Sequence, residues 1–247
     1  MVAAHPDDET LGLGGQLPQI ETLTLVHVTD GAPEDMTHAR EVGFESRESY
    51  AAARARELDR ALAAGGVRNA RCLELGIMDQ EAANHLVDLV QALVSTLERV
   101  DAVITHPYEG GHPDHDACAF AVQAACTILW LTGRATPLRV EFASYHARGG
   151  QLAPGRFWAM QGYPEHVISL DDSQLAAKRA AVAQFVTQQA FISTFPIETE
   201  RLRPAPDYDF SRPPPPQEVL YDRFGWAMNS MRWRQRAQSA IQMLGLD

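Results

Sequence analysis

The chain has 247 residues, 45% hydrophobic and 21% charged, the proportions of an ordinary globular protein with length for one sizeable core. Its formal net charge of −11 argues against nucleic acid or an anionic membrane as the main partner. No apolar stretch approaches the roughly 20 residues of a membrane span, and the first residues run into Pro6 and three acids rather than a signal peptide's basic start and long apolar run, so the expectation is a cytoplasmic protein.

In chain order, residues 1–4 form a short apolar run that reads as a buried strand, ending in Ala4-His5-Pro6-Asp7-Asp8-Glu9. Residues 22–28 are β-branched and end in Thr29-Asp30-Gly31, a strand followed by a turn. Residues 46–64 carry Tyr50, Ala53, Leu58, Ala61 and Leu62 at helical spacing, with Gly65-Gly66 as the stop. Further strands are predicted at 71–75, 102–105, 139–145 and 166–170, and helices at 81–99, 114–131 and 172–189. Prolines break the pattern over 196–216, which reads as a long structureless loop. Residues 220–247 are aromatic and basic, with a terminal helix expected over 222–246. The β-then-α order predicts a single α/β domain over 1–247, a Rossmann-like three-layer sandwich whose mostly parallel sheet is covered on both faces. The three cysteines, Cys72, Cys118 and Cys126, form no C-x-x-C pair and read as reduced thiols.

Two segments carry chemistry, the first at His5 and the second His112-Pro113-Asp114-His115. Both follow predicted parallel strands, where ligands gather in open α/β sheets. A catalytic zinc keeps three protein ligands and an open position for water, whose pKa it lowers to about 7. His5, Asp8 and His115 fit that count. His5 and Asp8 lie where the strand turns into a helix, so both side chains reach one point, and Asp7 points elsewhere, free to act as general base. His112 faces the same substrate without being a ligand; as imidazolium it would stabilise an oxyanion or protonate a leaving amine. Asp114 would hold His112 in the needed tautomer, and Gly110-Gly111 lets the backbone pass close by. Singly these motifs are ordinary: a His-Pro such as His106-Pro107 is a turn, and Asp-Asp-Glu is a helix start. Jointly they complete a ligand set. His27, His38, His85, His146 and His166 have no comparable neighbours and read as core or surface histidines.

At these residues the sequence resembles the LmbE-like or PIG-L deacetylases, zinc enzymes that remove acyl groups from the amine of N-acylglucosamine-containing molecules. The two motifs, Thr29-Asp30-Gly31 and the Arg54-x-x-Glu57-x-x-x-Ala61 helix carry the resemblance, which continues less clearly from Lys178 to Gln189. It implies Zn2+ on His5, Asp8 and His115, with Fe2+ or another divalent ion as an alternative occupant. It also implies Asp7 as base, His112 as electrostatic helper oriented by Asp114, and Arg54 and Asp79 as substrate contacts. The implied substrate is a small acyl-amino-sugar or glycoconjugate. Some members place a tyrosine two residues before the first histidine of the second motif; here that position is Gly110, leaving Tyr108 or Glu109 as substitutes.

The expected reaction is metal-assisted amide hydrolysis. A non-haem iron oxygenase would use the same two-histidine, one-carboxylate set, but leaves Asp7 unexplained. A non-enzymatic nucleotide-binding domain would rest on Gly12-Leu13-Gly14-Gly15; the third glycine it needs is Leu17, and these glycines read better as helix-on-sheet packing. The 196–216 loop is expected beside the metal pocket as a specificity lid, and the aromatic residues of 220–226 stack on sugar or pack in the core.

Overall fold

The computed structural model describes residues 1–246. Strand β1 (Val2–Ala3) leads into α1 (Asp8–Leu13), and β2 (Leu23–Pro33) is followed by α2 (Thr37–Glu41) and α3 (Arg47–Ala64). Then come β3 (Ala70–Asp79), α4 (Leu86–Leu97), β4 (Ala102–Thr105) and α5 (Pro113–Leu131). The second half adds β5 (Leu138–Phe142), a hairpin of β6 (Tyr145–Arg148) and β7 (Gln151–Pro154), β8 (His166–Ser169) and α6 (Asp172–Val182). It closes with α7 (Gln189–Ile192), β9 (Thr199–Pro204) and α8 (Ser230–Leu244).

The fold is Rossmann-like α/β. β1, β2 and β3 pair in parallel, as do β4 and β5, while β9 runs antiparallel between β5 and β8. β1 also lies against β4, so the chain winds outward to β3 and returns on the other side of β1. That reversal of strand order opens a crevice at the carboxyl ends of the strands. Period-two alternation buries both sheet faces: Val26 and Val28 join Val2 and Val103 against α4, α5 and α8, whereas Leu23 and Leu25 join Leu58, Leu62 and Ala181 from α3 and α6.

The helices that carry site residues have local causes. α3 is capped by Ser46, whose hydroxyl accepts from the Ser49 N–H at 3.1 Å, and buries Tyr50, Ala53, Arg54, Glu57, Leu58, Ala61 and Leu62 on one stripe. α5 starts with Pro113 at its first position and His112 as its cap, and is buried nearly all round. The Trp233 indole of α8 is fully buried and donates to the Pro113 carbonyl at 2.9 Å, locking α8 onto the start of α5. Truncating such a tryptophan to alanine costs about 3–5 kcal/mol.

Several expectations are corrected. Residues 196–216 are not structureless: β9 occupies 199–204, and its proline comes last, where a missing N–H costs least. The strand expected over 139–145 breaks at Ala143-Ser144, where the Gly155 N–H bonds the Ser144 carbonyl. The helix expected over 172–189 ends at Val182, because Phe185 turns into the core and Thr187 binds Glu57 of α3. The helix expected over 81–99 begins at Leu86, since the Ala82 N–H is given to Asp114. The terminal helix starts at Ser230, after its Asn229 cap. Gly12 and Gly15 do serve packing: a Cβ on Gly12 would lie 2.3 Å from the Phe142 ring, and one on Gly15 would lie 2.7 Å from Leu170.

Candidate active site

The ends of β1, β3 and β4 and the start of α5 bring His5, Asp8, Asp79, His106, His112 and His115 together in the crevice beside β1 and β4. Nδ1 of His5 lies 3.2 Å from Asp8 Oδ2 and 3.3 Å from Nε2 of His115, which is 3.3 Å from Asp8 Oδ1. Tetrahedral zinc with bonds of 2.0–2.1 Å needs ligand separations of about 3.3 Å. The opposite nitrogens are engaged elsewhere: Nε2 of His5 lies 3.1 Å from Asp79 and 3.3 Å from Asp114, and Nδ1 of His115 lies 3.1 Å from Ser144 Oγ. Acceptors behind each imidazole fix the tautomer whose lone pair points inward, the arrangement that metal-ligating histidines use. The donors close enough to share one ion group as His5, His112 and His115, as His5, Asp79, His112 and Asp114, and as Asp8, His106 and His115; His5, Asp8 and His115 are spread over these overlapping groups, and their chemistry fits a divalent cation.

Asp114 behaves differently from the sequence expectation. Its carboxylate accepts from the Gln80 and Ala82 N–H groups at 2.6 and 3.0 Å and faces His5, while staying 3.8 Å from His112. Its backbone N–H instead donates to Nδ1 of His112 at 3.2 Å. That bond leaves Nε2 of His112 as the N–H donor, 3.6 Å from Asp79. Asp79 likewise lies behind His5.

Asp7 caps α1 at φ 141°, a conformation that side-chain-bearing residues rarely adopt. Arg54 holds it there, donating to Asp7 Oδ2 at 3.0 Å, to the Pro6 carbonyl at 2.8 Å and to the Gly31 carbonyl at 3.0 Å. Gly31 permits this approach, because a Cβ would lie 3.0 Å from both the guanidinium and Pro6. Arg54 is thus buried and committed to protein acceptors rather than solvated on its helix.

Four carboxylates share the site with one guanidinium. Burial raises Asp7 to about 8, with Arg54 opposing and Asp8 and Glu9 adding to the rise, and burial raises Asp114 to about 6. Burial opposes charge on His5, but Asp79, Asp114 and Asp8 outweigh it and hold its pKa well above the usual value. Burial and neighbouring imidazoles push His115 down to about 3 and His112 well below its usual value. These surroundings disfavour the imidazolium form of His112, whose Nδ1 already accepts the Asp114 N–H. Such stacked acids suit an added cation, which would favour their ionised forms.

A cavity of about 90 Å³ opens over these groups, walled also by Tyr145, Gln188 and Phe191. Gln188 is held by Tyr50 at 2.6 Å, so the 186–188 turn closes the site where the proline-rich segment was expected. Within that segment, Pro214 packs on Gly110, two residues before His112. Tyr108 is buried and donates to the Arg212 carbonyl, and Glu109 binds Arg203 and the Trp158 N–H, so neither faces the cavity. Tyr145 does: its ring stands 4.9 Å from His115, and its hydroxyl has no hydrogen-bond partner among the described residues. Trp226 packs on His112 with ring centroids 5.0 Å apart.

His106, Ser144 and Tyr145 escaped the sequence. Nε2 of His106 accepts the Ala4 N–H at 3.0 Å, and its ring stacks on His115 at 3.9 Å. The His106-Pro107 pair after β4 was the available signal. Ser144 and Tyr145 carry none, because only the broken strand delivers them.

Residues 1–126, just over half of the chain, match the family described as PIG-L, GlcNAc-PI de-N-acetylase. The chain belongs to the PIG-L family. A relative from Bacillus anthracis, called probable N-acetyl-alpha-D-glucosaminyl L-malate deacetylase 2, is 31% identical over 199 residues, covering 76% of this chain and 81% of its own. A protein of the same description from Bacillus subtilis (strain 168) is 29% identical over 127 residues, which is 49% of this chain. The matched region spans 57% of that relative. Among solved structures, the zinc inhibited form of teicoplanin deacetylase Orf2 superposes with a TM-score of 0.58 at 15% identity, covering 82% of this chain and 96% of Orf2. At that identity the likeness speaks for the fold alone.

Proposed function

We propose that this PIG-L family chain is a metal-dependent N-deacylase that hydrolyses the amide of an N-acylglucosamine-type sugar, acetyl being the acyl group. The observation that carries this is the convergence of His5 Nδ1, His115 Nε2 and Asp8 at 3.2–3.3 Å, with acceptors behind both imidazoles. The descriptions of the Bacillus relatives support an N-acetylglucosaminyl conjugate as substrate. The cavity of about 90 Å³ suits a short acyl group, since one water takes about 30 Å³.

His5, Asp8 and His115 would hold the metal, with zinc as first choice for this nitrogen-and-oxygen set. Bound there, the ion supplies a Lewis acid and an acidified water. Asp7, fixed by Arg54 and beside the ligand Asp8, accepts a proton from the attacking water. His112 donates its Nε2–H, and Tyr145 its O–H, to the carbonyl oxygen as it gains charge. Asp7 then passes its proton to the amide nitrogen, so the C–N bond breaks to leave a free amine and a carboxylate. Asp79 and Asp114 position His5, Ser144 positions His115, and Arg54 positions Asp7.

Release of amine from N-acetylglucosamine derivatives by zinc-loaded protein under anaerobic conditions tests the proposal. Absence of hydrolysis with zinc, together with oxygen-dependent turnover with iron, would favour the oxygenase reading instead.

A further inference from the structure

The backbone of Asp7, the proposed base, is held on every side at its φ of 141°. The Pro6 carbonyl accepts from Arg54 at 2.8 Å, and the Asp7 carbonyl accepts from the Thr10 and Leu11 N–H groups at 3.0 and 2.9 Å. The Pro6–Asp7 peptide is trans, so its N–H points away from the Pro6 carbonyl and hence from Arg54. That N–H donates to Oε2 of Glu9 at 3.1 Å.

Glu9 is fully buried, and its other contacts fix it in place. The same Oε2 meets Nε2 of His27 at 3.0 Å, and Oε1 accepts from the Thr10 hydroxyl. His27 is itself buried and stands opposite Ala3 in the pairing of β1 with β2. Two residues on, the N–H and the hydroxyl of Thr29 both donate to the Ala4 carbonyl at 2.9 Å. The imidazole therefore rests on a well-tied part of the sheet, behind the turn that carries His5, Asp7 and Asp8. An apolar pair of similar volume would cost the fold no more than this buried carboxylate and imidazole. What it could not supply is an acceptor for the Asp7 N–H.

We infer that Glu9 and His27 are positioning residues for amide hydrolysis, the pair fixing the Pro6–Asp7 peptide so that the Asp7 carboxylate stays aimed at the attacking water. The inference rests on the N-deacylase function proposed above. A residue at positive φ persists only where its surroundings over-determine it. Arg54 grips the carbonyl edge of this peptide and Glu9 its amide edge. Loss of Glu9 frees the peptide to rotate, so that Asp7 relaxes toward negative φ and carries its carboxylate away from Arg54. Glu9 and His27 do not line the metal cavity, so their effect falls on kcat rather than on substrate binding.

The test measures kcat, KM and zinc content of zinc-loaded protein with methyl N-acetylglucosaminide, and hydrogen exchange of the Asp7 amide by NMR. Glu9→Ala should lower kcat about 10- to 100-fold, the usual loss with a hydrogen bond to a charged group. KM and zinc content should stay close to wild type, and the Asp7 amide should exchange faster. Glu9→Gln keeps an oxygen for that amide and should restore most of the kcat and of the protection. In an Asp7→Asn background Glu9→Ala should lower kcat no further, because the residue it acts through is already disabled. If Glu9→Ala does not fold, His27→Leu and His27→Gln carry the same comparison. Leucine removes the partner of Glu9 and should lower kcat and protection, and glutamine keeps an N–H and should restore both. Wild-type kcat in Glu9→Ala or His27→Leu, or a loss that multiplies in full with that of Asp7→Asn, would overturn the inference while leaving the deacylase function standing. Protection of the Asp7 amide that depends on Glu9, in a protein that releases no amine from N-acetylglucosamine derivatives, would uphold the hold of Glu9 on Asp7 and overturn the deacylase function.

Discussion

Nδ1 of His5 and Nε2 of His115 face each other at 3.3 Å, although each imidazole already has a partner for its other nitrogen. Two ring nitrogens so placed need a proton or a cation between them. Asp8 lies beside both, with Oδ2 at 3.2 Å from the His5 nitrogen and Oδ1 at 3.3 Å from the His115 nitrogen, so its carboxylate spans the pair at separations near those that zinc requires.

The hydroxyl of Ser144 lies 3.1 Å from Nδ1 of His115 and would orient that imidazole as the proposed ligand. Ser144→Ala should weaken zinc binding about 10- to 100-fold, the usual worth of such a partner, with the fold retained. Competition with a chelator of known affinity measures it; unchanged affinity would remove Ser144 from the site.

Tyr145 is the candidate second donor to the carbonyl oxygen, since Tyr108 and Glu109 are turned away. Tyr145→Phe should lower kcat about 10²- to 10³-fold, with KM and zinc content close to wild type. A variant with wild-type kcat would leave His112 as the sole protein donor.

Asp7 makes the metal-free protein pH-sensitive. Burial raises its carboxyl from 3.8 to about 8, so between those values the folded chain keeps a proton that the unfolded chain releases. Stability from this group is complete below the lower value and is lost as pH rises through the upper one. The Tm of metal-free wild type should fall from about pH 5 to about pH 8 more steeply than that of Asp7→Asn, and zinc should reduce the difference, because a nearby cation favours the carboxylate. Identical slopes in calorimetric scans would contradict this.

Gly12 tests the packing of α1 on the sheet. Glycine to alanine inside a helix normally gains about 1 kcal/mol, but here the new Cβ would stand 2.3 Å from the Phe142 ring. Overpacking of about 1–3 kcal/mol should win, and denaturant unfolding of Gly12→Ala should show net destabilisation. A gain in stability would mean that Phe142 yields freely.

The sequence was most legible where function and local structure coincide. His5, Asp8 and His115 are proposed as ligands from two short motifs, and the structure brings these side chains within 3.2–3.3 Å of one another because both motifs follow parallel strands that meet at the reversal of strand order. α3 was readable from its apolar spacing, yet the role of Arg54 was not, because burial against Asp7 depends on the positive φ of Gly31. Asp114 was tied to the wrong histidine: two residues separate it from His112, but its carboxylate is captured by N–H groups of a distant turn at Gln80 and Ala82. β9 was hidden by the prolines at its end and on either side, Pro196, Pro204 and Pro206, and Ser144 and Tyr145 by a strand break that only tertiary contacts produce.

The most direct measurement is zinc stoichiometry and turnover for Asp7→Asn and Asp8→Ala side by side. Asp8→Ala removes a charged ligand, so it should lose most of its zinc and its activity with it. Asp7→Asn keeps the side-chain shape but cannot accept the proton of water. It should therefore hold near-stoichiometric zinc while turnover falls about 10²- to 10⁴-fold, the range for a general base. An Asp7→Asn protein that lost zinc as fully as Asp8→Ala, or that turned over at nearly the wild-type rate, would contradict the assignment of base and ligand.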